Sequence, residues 1–148
     1  MKPLKKIYCR TFQTIFKLAL PFLPYRHPKI INSPGKLAGI LREKDTMRVL
    51  IITDSGIRGL GLIAPLEKAL QKNQISYWIY DKTVANPTTV NVAEAVNLYR
   101  EQNCQSIIGF GGGSSIDCAK AVGACIARPG KSLAKMKGIL KVHKKLPL

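Results

Sequence analysis

Three short apolar runs punctuate the middle of the chain: MRVLIIT at residues 47–53, ISYWIY at 75–80 and SIIGF at 106–110. Each is rich in β-branched or aromatic residues and bounded by turn formers, the pattern of strands buried on both faces. Between and after them the spacing of apolar positions becomes helical. Leu62, Leu66, Ala69 and Leu70 predict a helix over 62–72. Val92, Ala95, Val96 and Tyr99 predict another over 88–103. A third is expected over 114–127, and a fourth, ahead of the first strand, over 35–44. Residues 54–61, with three glycines, and 81–87 read as loops. Further upstream, Phe12, Ile15, Phe16, Ala19, Leu20 and Leu23 recur at helical spacing, with Arg10 and Lys17 off that face, so residues 8–23 read as an amphipathic helix. Pro21, Pro24, Pro28 and Pro34 then predict an irregular stretch with a short extended piece at 29–32.

Strands alternating with helices predict an α/β domain, a parallel sheet with helices on its faces. Right-handed crossovers bring the loops that follow the strands to one sheet edge. Those loops begin at Asp54, Asp81 and Gly111, and a ligand is expected nowhere else.

Charge changes this picture at the two ends. The net charge is +16, but residues 49–127 carry six basic and six acidic side chains. Residues 1–48 hold eleven Lys or Arg against two acids, and residues 128–148 hold seven against none. Basic flanks of this kind meet nucleic acid, an anionic membrane surface or an acidic partner, or are simply solvated; solvation is the commoner outcome. No apolar stretch is long enough to span a bilayer. The amphipathic segment could lie on a membrane surface, but packing against its own protein or a second copy, as in a homo-oligomer, is the commoner use of such a helix. Cys9, Cys104, Cys118 and Cys125 show no CxxC spacing, and no secretory leader is recognisable at the start, so reduced thiols and a cytoplasmic location are expected. Cys118 and Cys125, seven apart on one predicted helix face, read as packing residues.

The chemistry concentrates in IIGFGGGSSIDCAK, residues 107–120. A buried strand, three consecutive glycines (Gly111, Gly112, Gly113) and a helix start form the build of a phosphate cradle. Glycines admit close approach of an anion, and the free amides of the first helical turn point at it. Ser114 is a good N-cap, and Asp117 stands where a capping-box acid would stand, so Asp117 has both a structural reading and a reading as a ligand-side acceptor. The stretch is neither the GxGxxG fingerprint, which needs glycine where Ser114 stands, nor a P-loop. Asp54, at the end of the first strand, is either a turn or cap residue or an acceptor for a ribose hydroxyl. His27 and His143 stand in basic surroundings, without metal-ligand spacing and without a catalytic motif.

Taken together, these pieces resemble the iron-containing (group III) alcohol dehydrogenases. GGGSSIDCAK at 111–120 is similar to that family's GGGSxxDxAK signature, TDSGI at 53–57 to its strand-end TD, and NPTTV at 86–90 to its NPT segment. MKGILKV at 136–142 and KKLP at 144–147 resemble the approach to its next cofactor segment. The likeness runs from about Asn32 to the last residue. It implies a Rossmann-like dinucleotide-binding domain over 29–148, preceded by an arm over 1–28. It further implies that Gly112, Gly113 and Ser114 sit on the pyrophosphate of NAD with Gly111 also in the cofactor site, that Asp54 addresses the adenosine ribose, that Asn86 lines the groove, and that Asp117 lies towards the nicotinamide. In the family a second, helical domain holds Fe²⁺ (or Zn²⁺), which polarises the substrate oxygen. The family's TTAGTGSE-like segment and metal ligands are not in this sequence, and neither histidine matches them. The resemblance therefore predicts a truncated portion of an enzyme acting on an alcohol or aldehyde, with no catalytic or metal-ligating residue of its own. The competing expectation is a basic α/β module for an anionic partner, nucleic acid or a membrane surface. It is weakened because no basic stripe is interleaved with aromatics.

Overall fold

The computed structural model describes residues 10, 11, 13–15, 17, 29–131 and 133–136. Its sheet has three parallel strands: β1 (Arg48–Ile52), β2 (Ser76–Tyr80) and β3 (Ser106–Gly109), in the order β2-β1-β3. Arg48 pairs with Ser76 on one side, and Val49 with Ser106 on the other. Around the sheet lie α1 (Pro34–Glu43), α2 (Ser55–Gly59), α3 (Ala64–Lys72), α4 (Thr89–Glu101) and α5 (Gly113–Ala127), followed by a 3-10 turn at Leu133–Met136.

The central position of β1 explains its composition. Val49, Leu50, Ile51 and Ile52 are all 0 % exposed, because neighbours flank both edges and helices cover both faces. Successive side chains of a strand point to opposite faces. Leu50 and Ile52 accordingly pack with Val92, Val96 and Tyr99 of α4 and Cys118 and Val122 of α5. Val49 and Ile51 pack with Ala38 and Leu41 of α1 and Leu66 and Leu70 of α3. The four positions that predicted the face of α4 are all buried.

The start of β1 is fixed by the chain that precedes β3. The Gln105 side-chain oxygen accepts from the Met47 and Arg48 amides, at 2.8 and 3.1 Å. The Arg48 guanidinium donates to the Gln102 carbonyl at the C-cap of α4 and lies 5.0 Å from the centre of the Trp78 ring. Cation, helix end and aromatic face all stabilise this corner.

Two expectations need correction. Residues 54–61 are not all loop, since residues 55–59 form α2. Its glycines hide any periodicity, but the Asp54 carboxylate accepts from the Ile57 amide at 2.9 Å and supplies the N-cap that starts the turn. The helix expected from residue 62 begins at Ala64, and Leu62 lies outside it, exposed. Of the amphipathic segment 8–23, residues 10, 11, 13–15 and 17 are helical and exposed; its other apolar positions lie outside the described residues.

Candidate cofactor-binding site

The strand order creates the site. From β1 the chain moves outward to β2, then crosses back past β1 to β3, so the crossover helices α3 and α4 take opposite faces. The carboxyl ends of β1 and β3 therefore flank a crevice with no helix across it, the topological switch point of an open α/β sheet. Asp54 stands just past the end of β1, and Gly111 just past β3. The two meet there: a Cβ added at Gly111 would lie 3.3 Å from Asp54 Oδ2 and 3.0 Å from Ser115 Oγ. Gly111 has φ +133°, a conformation that side chains oppose, so only glycine closes the loop against this pair.

The next two glycines are different. Nothing lies within 4 Å of the place a Cβ would occupy on Gly112 or Gly113, and both are exposed. Gly112 has extended backbone and is the N-cap of α5, whose first intrahelical bond runs from the Ile116 amide to the Gly112 carbonyl at 3.2 Å. The amides of Gly113, Ser114 and Ser115 thus have no acceptor within their own helix. A fifteen-residue helix presents this end to the crevice, and its dipole favours an anion there.

This start corrects the expected capping box. The helix begins two residues earlier than a Ser114 cap requires, because Gly112 and Gly113 take up the turn. Asp117 then falls in the second turn, exposed, and pairs with Lys120 at 3.2 Å (i, i+3). Ser114 is half-buried in the first turn.

Asn86 lies on the β2–α4 loop, exposed, at φ 56°, a left-handed conformation asparagine tolerates. That loop is tied to the β1 loop by the Asp54–Lys82 β-bridge and by an Arg58–Asp81 ion pair at 3.1 Å. Thr88 and Asn91 close its far end in a capping box, and the buried Asn91 amide also donates to the Lys82 carbonyl and the Tyr80 hydroxyl. The structure thus gathers Asp54, Gly111, Gly112, Gly113 and Ser114 in one crevice, with Asn86 on the adjoining loop and Asp117 one turn further along α5.

One participant escaped sequence reasoning. Ser115 is 0 % exposed, and its hydroxyl donates to Asp54 Oδ2 at 3.3 Å across sixty-one positions of chain. The signal was present: Ser115 occupies the buried stripe of α5 with Cys118 and Val122, and a polar residue on such a stripe needs a partner.

The cradle fits a pyrophosphate: the space beside Gly112 and Gly113 is open, next to amides with no acceptor in their own helix. Thr53 Oγ1, fully buried one residue before Asp54, has no hydrogen-bond partner and leaves a polar group unmatched at the same strand end. Exposed apolar side chains rim this sheet edge: Leu60 and Leu62 after α2, Val84 before α4, Val90 in its first turn and Ile116 in the first turn of α5. Polar cradle and apolar rim together suit a ligand with a charged centre and flat rings. A divalent metal is not fitted. Among the described residues no three of His, Cys, Asp and Glu come together, and His27 and His143 lie outside them. Among the described residues the thiols of Cys104, Cys118 and Cys125 are poorly suited to act as nucleophiles. Burial pushes Cys104 up to about 11 and raises Cys118 and Cys125 as well, so all three stay protonated near neutrality.

Residues 28–148 match the family model for iron-containing alcohol dehydrogenase. The chain belongs to the iron-containing alcohol dehydrogenase family. Alcohol dehydrogenase 4 of Saccharomyces cerevisiae is 37% identical over 102 residues, 69% of this chain and 26% of the relative. The NAD-dependent methanol dehydrogenase of Bacillus methanolicus is 31% identical over 91 residues, 62% of this chain and 24% of the relative. A crystal structure of 1,3-propanediol oxidoreductase superimposes on 78% of this chain and 30% of its own, with a TM-score of 0.73 and 27% identity. The chain thus spans about a quarter of the length of these curated relatives. Its three-stranded parallel layer is the Rossmann-like portion of the family fold. Among the described residues no helix is long and apolar enough to cross a membrane.

Tyr80, at the outer edge of the layer, gives a pH-dependent readout of its integrity. Its hydroxyl donates to Glu94 at 2.8 Å and accepts from Asn91 at 3.1 Å. Burial, assisted by the Glu94 carboxylate, pushes the phenol from 10 up to about 12 despite the Asn91 hydrogen bond. Between those values the folded chain holds a proton that the unfolded chain has released, so stability falls as pH rises from about 10 to about 12. Tyr80→Phe is expected to lack that component of the alkaline fall. Urea unfolding of both proteins at stepped pH checks it, and parallel curves would refute it.

Proposed function

We propose that this chain forms the NAD-binding layer of an alcohol dehydrogenase, residues 29–148 being the binding domain and 1–28 an N-terminal arm. In the whole protein, a hydride passes between NAD(H) and an alcohol or aldehyde. The observation that carries the proposal is the convergence of Asp54 and the open glycine turn at the switch point of the sheet. The backbone of Gly112, Gly113 and Ser114, the N-cap and the first two residues of α5, holds the pyrophosphate, with Gly111 shaping the turn. Asp54 accepts from a ribose hydroxyl and repels a 2′-phosphate, which favours NAD over NADP. Asn86 and Asp117 line the groove on either side, and the apolar rim shields the flat rings from water. Bound there, the dinucleotide supplies the hydride chemistry; the residues of this chain bind and orient it. The NAD dependence named for the Bacillus methanolicus relative supports the choice of cofactor. Cys104, Cys118 and Cys125, unpaired among the described residues, support a reducing, cytoplasmic setting.

No catalytic or metal-ligating residue is assigned to this chain, so it is expected to bind without turning over. Calorimetric titration is expected to show saturable NAD binding competed by ADP-ribose. A steady-state assay with NAD, Fe²⁺ or Zn²⁺ and short primary alcohols is expected to show no rate above the blank. Absence of heat from a folded sample would overturn the binding assignment, and robust turnover the assignment of inactivity.

A further inference from the structure

We infer that Ser115 is a positioning residue for Asp54, fixing its carboxylate so that the crevice selects a free ribose 2′-hydroxyl over a 2′-phosphate. The inference rests on the proposed role of Asp54 and adds a residue that the glycine motif does not supply.

A lone aspartate at a strand end rotates about two side-chain bonds. Here two donors act on different oxygens. The Ile57 amide reaches Oδ1 at 2.9 Å from its own loop, and the Ser115 hydroxyl reaches Oδ2 at 3.3 Å from α5. Held at both oxygens from two elements, the carboxylate has one orientation. An ionised carboxylate offers about four acceptor positions, so two donors leave capacity for a ribose hydroxyl. The Ser115 bond is sheltered. The residue is fully buried, and Gly111 closes over both partners with no room for a side chain. Burial strengthens such a bond and makes its removal felt. Ser115 itself stands on the sheet-facing side of α5 and is argued to act through Asp54, not on the ligand.

The test uses the full chain with ADP-ribose and its 2′-phosphate as probes, titrated calorimetrically. Wild type is expected to prefer ADP-ribose. Ser115→Ala, which removes one oxygen and leaves the packing in place, is expected to weaken ADP-ribose binding about 5- to 10-fold while changing the 2′-phosphate ligand less than about 2-fold, so the preference falls. In an Asp54→Asn background the same substitution is expected to leave the preference unchanged, because the two residues act as one unit. Equal weakening of both ligands marks a packing role and overturns the inference, as does an unchanged or increased preference. A melting curve for each variant separates unfolding from lost selectivity. If wild type binds neither probe, or binds both alike, the Asp54 assignment fails and takes this inference with it. If wild type discriminates and Ser115→Ala discriminates equally well, only the inference on Ser115 fails.

Discussion

Gly112→Val is expected to lower NAD affinity on the order of 100-fold, about 2.7 kcal/mol, while costing the fold no more than about 1 kcal/mol, the loss of a tolerated N-cap on α5. The contrast follows from what surrounds this glycine. Its backbone is extended, with φ −78° and ψ −174°, a conformation valine adopts readily. No atom lies within 4 Å of the position its Cβ would take, so the folded chain has room for the side chain. That room is open space at the N-terminus of α5, where the pyrophosphate is proposed to sit. A branched side chain there displaces a pyrophosphate by more than the length of a hydrogen bond, and each charge-assisted bond lost costs about 1.5–3 kcal/mol. Calorimetry for affinity and a melting curve for stability read the two effects independently. Unchanged affinity would show that the cofactor does not sit against Gly112.

The neighbouring glycine is expected to behave in the opposite way. Gly111→Ala should destabilise the fold by roughly 2–4 kcal/mol. Two costs combine. A side chain at φ +133° sits in a region that is essentially reserved for glycine, which strains the backbone. The added methyl also meets Ser115 Oγ at 3.0 Å and Asp54 Oδ2 at 3.3 Å, so the hydrogen bond between them must open or the loop must withdraw. Urea unfolding measures the loss. With a slope of about 1–3 kcal/mol per molar urea, the midpoint should fall by about 1 M or more. A midpoint within a few tenths of wild type would mean that the loop relaxes without strain. Two adjacent residues of one type are thus expected to divide the labour, Gly111 serving the fold and Gly112 the proposed ligand.

Much of this arrangement was legible in the sequence where one physical term dominates. The strands were, because MRVLIIT, ISYWIY and SIIGF are β-branched or aromatic runs bounded by turn formers, but the two-sided burial expected of all three holds only for the central β1; β2 and β3, at the edges, are partly exposed. α4 was, because Val92, Ala95, Val96 and Tyr99 repeat at helical spacing and all four are buried. The glycine turn between β3 and α5 was, because an apolar run, three glycines and a helical pattern follow one another directly. What escaped depends on contacts distant in sequence. α2 has no apolar period and exists because the Asp54 side chain caps it. The capping box drawn on Ser114 and Asp117 followed a local rule, yet two glycines moved the helix start and left Asp117 to Lys120. Ser115 was passed over because its partner is sixty-one residues away. The order of the strands, which brings Asp54 beside Gly111, is not written in any local pattern.

The sheet pairs β1 on both sides, but among the described residues β2 and β3 each pair on one side only. Their outer edges carry rows of amide and carbonyl groups able to dock onto another chain. The net charge of +16 opposes such encounters, since copies repel one another before their edges meet. Salt removes that protection over about 10 Å at 0.1 M. The colloidal behaviour of this polypeptide is thus governed by ionic strength, and dilute, low-salt buffers suit its handling.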